Sequence, residues 1–548
     1  MKEYYNKTEK IIAYFLFSAF FIIGILTFRD YGISIDEEFQ RASGFYWLNY
    51  VLNFTPFENF QNYVNEIIAQ PKGPTVPSVE ANLPYGVVFD LPLAFLETIL
   101  KINETKNYYF LRHFCNFFLF FVSSIFFFKL LSERFSDKYI PLIGTLFYVL
   151  SPRIYGNSFY NNKDLIFLSL TTIAIYFCFK IFKKKKFKNI LLFSFFAAVC
   201  TASRVLGIYL IFFYFVFSIP SASCKKNYII NLKTIFIVIT TYMGFVIILW
   251  PYLWESPIKN FISSFNFFSS FPLNPKMLVA GEYVSAHNLP YKYIFSWIFV
   301  TTPILYIILF IFGYLKVISK FFIRLVNIRE EEPLNFWIGL NEKKDLFILT
   351  CLSSIICYLV IFKIPLYNGW RHIYFINIFL IYLSTVGFYE IGNFLKKRFK
   401  TNFLYHISIL FLIFLTYKMS IYHPYQSLYF NSISKVTHKD YEIDYWGISG
   451  KKFLNEILTK EKEKQRIVVA VASFLPLERS LALLNEDDKN KFKIIGQNYH
   501  EADYIFTNFI TEVGKFKNYK YEIPKNFSLE SEFFIDNIKI YQIYKRSN

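Results

Sequence analysis

Residues 11–28 read IIAYFLFSAFFIIGILTF. The run carries no charge and is about long enough to cross the hydrocarbon core of a bilayer as a helix. Lys2, Lys7 and Lys10 precede it. Arg29 and Asp30 follow directly, where a removed signal peptide would show a small-x-small cleavage site. The run is therefore expected to stay as a first membrane span. Similar apolar runs recur near 107–131, 139–152, 165–182, 189–203, 205–220, 229–250, 292–315, 346–364, 372–392 and 403–421. About eleven transmembrane helices are predicted, several of them short enough to be tilted or re-entrant. The expected fold class is an α-helical polytopic membrane protein with a small C-terminal α/β domain.

Composition agrees. Of 548 residues, 54% are hydrophobic and 22% aromatic, with 70 Phe and 43 Tyr, and only 18% are charged. An ordinary soluble enzyme and a disordered chain are both excluded by so apolar a composition. The net charge of +19 would suggest nucleic acid in a soluble protein, but its location tells otherwise. With the N-terminus inside, the loops 129–138, 180–188, 225–233, 316–345 and 396–400 carry most of the excess, so it reads as a positive-inside orientation signal. No nucleic-acid partner is expected. The six cysteines, Cys115, Cys178, Cys200, Cys224, Cys351 and Cys357, form no C-x-x-C pair, and neither H-E-x-x-H nor G-x-G occurs. The common zinc-protease, Walker and Rossmann signatures are thus absent.

That topology leaves three segments outside: the loop 29–105, a loop near 251–291 and the tail from about 422. In the first, Phe39, Ala42, Tyr46, Trp47 and Tyr50 follow helical spacing and predict an amphipathic helix on the membrane surface. A proline-rich break (70–84) leads to a second apolar segment, 86–100, containing Asp90. In the tail, a helix is predicted over 451–464 and strands over 466–472, 491–496 and 502–509. A closing hairpin over 533–546 turns at Asp536-Asn537. Two domains are expected: 1–425, the membrane domain with its outer loop, and 426–548, an extracytoplasmic α/β domain.

Ionisable groups at membrane depth are costly, so charges near span ends carry the most information. Those at the outer ends are Asp36, Glu37 and Glu38, then Arg112 and His113, then Arg153, Lys163 and Asp164, then Arg204, Lys363, Arg371 and His372, then Lys418 and His423. Acids and bases sharing one membrane face suit transfer of a sugar from a polyprenyl phosphate. A carboxylate takes the acceptor's proton, and cations stabilise the departing lipid phosphate. Asp36 or Glu37 can serve the first need. Arg112, Lys163, Arg204 and Arg371, with His372 beside them, can serve the second, and Asp164 can orient a cation or the sugar.

Several motifs occur in order: S-I-D-E-E-F (34–39), L-R-H-F-C-N (111–116), S-P-R-I-Y-G-N (151–157), N-N-K-D-L (161–165) and T-A-S-R-V-L-G-I (201–208). They are followed by G-W-R-H-I-Y-F (369–375), H-P-Y-Q-S-L-Y-F-N (423–431) and D-Y-W-G (444–447). The chain resembles the multi-spanning, lipid-phosphate-dependent glycosyltransferases of the type-C fold. Within them it is most similar to a bacterial subgroup of the protein O-mannosyltransferase and aminoarabinose-transferase superfamily. The family's acidic pair after the first span is matched by Asp36 and Glu37, its Arg opening the next span by Arg112, and its later acid by Asp164. The resemblance implies an inverting transfer on the outer face of the cytoplasmic (inner) membrane, with Asp36 as base or metal ligand. It implies a polyprenyl-phosphate-linked sugar as donor, a glycan, lipid or protein as acceptor, and membrane lipids around it. A divalent cation, Mg²⁺ or Mn²⁺, stays open, with Asp36 as its possible ligand. Glu38 extends the acidic pair and leaves the register of the base open. Plainer readings also stand. Ser34 and Glu37 form a capping-box pattern, and the arginines can anchor helix ends at headgroups. A lipid-linked glycan flippase or transporter, or a non-catalytic assembly protein, is the alternative function.

Overall fold

The computed structural model describes residues 7–70, 73, 76–219, 225–326, 336–434, 436–511 and 519–547. Lys2, part of the proline-rich break, Cys224 and the 327–335 part of an expected inside loop lie outside the described residues. Eight helices there are long and apolar enough to cross a membrane: Lys10–Thr27, Thr105–Ser132, Asp164–Lys183, Ile229–Leu249, Ile304–Val326, Gly339–Ile361, Arg371–Phe399 and Phe403–Ile421. Three shorter apolar helices, Ile140–Val149, Phe187–Ser203 and Val205–Ser218, fall where shorter spans are predicted. The chain is thus a multi-pass, mainly helical protein.

Three boundaries differ from the prediction. The 292–315 run is two helices, Lys292–Thr301 and Ile304–Val326. Pro303 between them has no N–H and disfavours helical backbone at Thr302. The 346–364 run starts earlier, at Gly339, because Asp345 and Lys344 are buried with partners. Arg134 holds Asp345 at 2.7 Å and Lys344 donates to the Glu133 carbonyl at 2.7 Å. The 372–392 run is a 3₁₀ segment, Arg371–Ile376, followed by Asn377–Phe399.

The helices pack through aromatics and glycines. Phe159 stacks on Tyr31 at 4.1 Å and on Phe117 at 5.0 Å. Where Ile304–Val326 crosses Asn377–Phe399, Gly313 and Gly387 oppose each other. A Cβ on Gly387 would lie 1.9 Å from the Leu309 carbonyl oxygen, and one on Gly313 1.9 Å from that of Leu383. Small residues are what lets two backbones approach so closely in a membrane. Gly387→Leu is expected to push the pair apart and cost roughly 1–3 kcal/mol or more. A lowered thermal midpoint in detergent is the expected result, and an unchanged midpoint would remove the role given to this crossing.

The helix Asp164–Lys183 fixes the molecule's two ends. It has 20 residues and spans about 30 Å. Asp164 opens it, while Lys180 and Lys183 close it against Glu133. The lysine-rich end also holds Arg134–Asp345 and Lys320–Glu390 at 2.8 Å.

The first loop folds into three helices, Glu37–Leu52, Glu58–Ala69 and Asp90–Ile99. The first was expected to lie on the membrane with Phe39, Ala42, Tyr46, Trp47 and Tyr50 as its face. Of these, Phe39 and Trp47 are buried together with Glu37, Gln40, Ser43, Gly44, Phe45, Leu48 and Leu52, while Ala42, Tyr46 and Tyr50 are half-buried. It packs against protein: a Cβ on Gly44 would sit 2.4 Å from the Asp90 carbonyl oxygen. Periodicity showed a helix but not which solvent its face meets.

The tail forms the helix Gly450–Lys460 and a five-stranded mixed sheet. Ile467–Val471 runs parallel to Phe492–Ile494 on one side and to Tyr504–Thr507 on the other. The hairpin Phe527–Ile535/Ile538–Arg546 completes it, antiparallel. Asp536 and Asn537 both have positive φ, 52° and 68°, as a two-residue hairpin turn requires. Its core is continuous with that of the membrane helices.

Candidate active site

The loop leaving the first helix is pinned at once. A Cβ on Gly32 would lie 2.3 Å from the Ile448 carbonyl oxygen, so only glycine fits there. The Ser34 N–H donates to the Glu37 carboxylate at 2.6 Å, half of the capping box. The other half is missing, because the Ser34 hydroxyl donates to the Tyr160 carbonyl instead. Glu37 is buried and meets His113 Nε2 at 2.9 Å. Asp36, the N-cap residue by position, caps nothing. Its carboxylate reaches away and accepts from Arg371 at 2.6 Å, with its side chain 37% exposed. Of the two adjacent acids, Glu37 is the buried one and Asp36 the open one.

Arg371 is placed by the turn before it. Asn368 and Gly369 have φ of 56° and 73°, which favours glycine at 369. The guanidinium lies 5.0 Å from the Tyr367 ring and 4.7 Å from that of Trp446. The second cation, Arg204, follows the end of the Phe187–Ser203 helix and pairs with Asp164 at the start of the next-door helix. Lys163 donates to the Gly86 carbonyl at 2.7 Å and sits 4.7 Å above the Tyr85 ring. Burial pushes the Lys163 ammonium below the usual lysine range, and the Arg204 charge adds to this while Asp90 opposes it. Lys163 also feels Asp164 and Asp36, and the Tyr85 hydroxyl feels Asp36, Arg204 and Arg371. The structure therefore gathers Asp36, Lys163, Asp164, Arg204 and Arg371 into one cluster. His372 lies behind it, edge-on to Tyr367 at 4.4 Å.

Arg112 stands apart from that open edge. It is buried at 1% exposure, 3.3 Å from Asp90 and 3.7 Å from Glu97. Arg41 holds the other side of Glu97 at 2.9 Å, and Asn162 donates to Asp90 at 3.1 Å. This second network backs the first through Asn162 and Lys163. Burial raises the Asp90 carboxyl toward neutrality, against the pull of Arg112 and Lys163.

The residues fit a divalent cation poorly. Mg²⁺ and Mn²⁺ need several oxygen ligands. Among the described residues no group of three or more acid, histidine or cysteine side chains gathers. Asp36 and Asp164 each face an arginine, which already occupies the carboxylate oxygens a cation would need.

Several members were not singled out in the sequence. Tyr85 and Tyr367 look like any of 43 tyrosines. Glu97 and Arg41 sit at helical positions without a motif. Trp446 lies in D-Y-W-G, whose Asp444 accepts the N–H groups of Ile448 and Ser449 at 3.1 Å each. Gly447 adopts φ 74°, so that motif is a turn which lays Trp446 against Arg371. H-P-Y-Q-S-L-Y-F-N is likewise a junction. Gln426 accepts from Tyr31 at 3.0 Å, and Asn431 donates to the Thr302 carbonyl at 3.1 Å.

A multi-pass helical protein with clustered acids and cations at one helix end is the class that fold and site define. Residues 95–250 match the family model described as Dolichyl-phosphate-mannose-protein mannosyltransferase. That stretch includes Arg112, Lys163, Asp164 and Arg204. The match covers less than a third of the chain, and over that stretch the chain is similar to this family. No curated protein sequence matches the chain.

Proposed function

We propose that the chain transfers a sugar from a polyprenyl-phosphate donor to an acceptor hydroxyl or amine, with inversion, on the outer face of the cytoplasmic membrane. Asp36 takes the acceptor's proton as the acceptor attacks the anomeric carbon. Arg371, Arg204 and Lys163 hold the departing phosphate, Asp164 sets the position of Arg204, and His372 supports Arg371 from behind. Glu37 fixes the helix that presents Asp36. Arg112 acts one layer back, holding Asp90 and so the 85–90 segment beneath Lys163. The observation that carries the reading is the Asp36–Arg371 pair at 2.6 Å. It is a carboxylate and a cation at a partly open edge, with two further cations in electrostatic reach. A donor phosphate can take over Arg371 and free the Asp36 carboxylate for the proton.

Charge supports the outer placement. The cluster lies at the Asp164 end of a helix whose other end carries the lysine-rich loop, and such loops stay inside. The division into a membrane domain, 1–425, and an outer α/β domain, 426–548, belongs to the same proposal. The test is turnover of a polyprenyl-phosphate sugar by the reconstituted chain, compared with Asp36→Asn.

A pH dependence follows for Lys163. A lysine binds phosphate only while protonated, that is, below its pKa. Since burial lowers that pKa from about 10.4, kcat/KM for the donor is expected to fall on the alkaline side well before an exposed lysine would deprotonate. Lys163→Arg keeps its charge throughout and should move the alkaline limb upward. A limb that does not move would take Lys163 out of phosphate binding.

A further inference from the structure

The tail beyond residue 450 matches no motif above, yet it grips the chain on both sides of Asp36. Ile35, the residue just before Asp36, has both backbone groups bonded to C-terminal elements. Its N–H donates to the Trp446 carbonyl at 3.1 Å, and its carbonyl accepts from the Arg479 guanidinium. Two residues after Asp36, the Glu38 carboxylate lies 3.3 Å from the same Arg479 and accepts the Gly73 N–H at 2.7 Å. The Arg479 side chain is only 7% exposed.

Arg479 is itself held firmly. It lies in the 3₁₀ segment Leu477–Leu483, and a Cβ on Gly450 would be 2.9 Å from Leu477 and 3.1 Å from the Ser480 Cβ. At the end of the segment, Leu483 is buried with Ile33 and Tyr109. The tail also holds the start of the loop, where Lys451 donates to the carbonyls of Arg29 and Asp30 at 2.6 and 3.1 Å.

We propose that Arg479 is a positioning residue for Asp36: the C-terminal α/β region completes the catalytic site by clamping the Ile35–Glu38 segment through Arg479. This deepens the function proposed above and rests on it. Arg479 meets the residues on either side of Asp36. It fixes the peptide before Asp36 and the side chain after it, and so the direction in which the carboxylate leaves the helix start. A misplacement of about 1 Å at such a group can cost about a hundredfold in rate.

The test uses the full chain in proteoliposomes with a polyprenyl-phosphate sugar as donor, and compares Arg479→Ala, Arg479→Lys, Glu38→Gln and Asp36→Asn. Arg479→Ala is expected to lower kcat about ten- to a hundredfold, with the donor KM within about twofold, because the phosphate cations are untouched. Arg479→Lys should recover part of kcat, since one ammonium can reach either the Ile35 carbonyl or Glu38 but lacks the fork to hold both. Glu38→Gln, which keeps the acceptor oxygen and drops the charge, should fall between wild type and Arg479→Ala. If Arg479→Ala fails to fold, the milder pair Arg479→Lys and Glu38→Gln decides by the same kcat-only pattern. An unchanged kcat in Arg479→Ala, or a raised KM at constant kcat, would overturn the clamp. The two failures are separable. Asp36→Asn inactive with Arg479→Ala fully active sinks only the clamp, while Asp36→Asn at wild-type rate sinks the base assignment and the clamp together.

Discussion

Asp36→Asn is expected to lower the rate of sugar transfer by about two to four orders of magnitude, the usual contribution of a positioned general base, or roughly 3–5 kcal/mol in the barrier. The substitution is nearly isosteric. The amide can still accept from Arg371, so the local fold should persist and the thermal midpoint should change little. What is lost is the ability to take a proton. Donor binding should survive, because the phosphate meets Arg371, Arg204 and Lys163, and removing the carboxylate leaves Arg371 freer to bind it. A KM that holds or falls while kcat collapses is the signature of a group used only in the transition state. Glu37→Gln should behave differently. Glu37 is buried, accepts the Ser34 N–H and lies 2.9 Å from His113, so its loss should show first as a lower midpoint. If Glu37→Gln abolished turnover without loss of stability while Asp36→Asn did not, the base would be one residue later.

The second large effect is on stability. Arg112→Met should cost about 3–5 kcal/mol, because it removes one partner of a buried ion network and leaves Asp90 without its hydrogen-bonded cation. Asp90 and Glu97 are each 1% exposed. Glu97 would keep Arg41, and Asp90 would keep Asn162 and the more distant Lys163. The expected readout is a marked drop in thermal midpoint in detergent. Adding Asp90→Asn to Arg112→Met should recover part of it, since the charge left unpaired is then gone. Were Arg112 a direct phosphate ligand, the same substitution would raise the donor KM and leave stability nearly intact. That pattern would move Arg112 back to the open edge.

The membrane helices were legible because a span needs a long uncharged run, and few other constraints act on it. The sheet of the tail was legible for a similar reason, with short β-branched and aromatic runs closed by Asp536-Asn537. The site was only partly legible. Asp36, Asp164, Arg204 and Arg371 stand out because a charge at a span end needs a reason. Their pairing did not, since Asp36 and Arg371 lie 335 residues apart and no local pattern joins them. Arg112 sits in a motif yet turns inward, toward Asp90 and toward Glu97, a helical glutamate with no signature of its own. Arg479 was invisible for the same reason. Its importance lies in one backbone carbonyl and one carboxylate far away in sequence. Periodicity also could not say whether the Glu37–Leu52 helix faces lipid or protein, because both are apolar.

The central claim is that this chain breaks the bond between a sugar and a lipid phosphate, with Asp36 as the base. Release of free polyprenyl phosphate from a polyprenyl-phosphate sugar in proteoliposomes, followed by mass spectrometry, tests it most directly. Wild type should release the lipid phosphate in an acceptor-dependent way, and Asp36→Asn should bind the donor and leave it intact. Donor that crosses the bilayer unbroken, or lipid phosphate released by Asp36→Asn at the wild-type rate, would contradict the account.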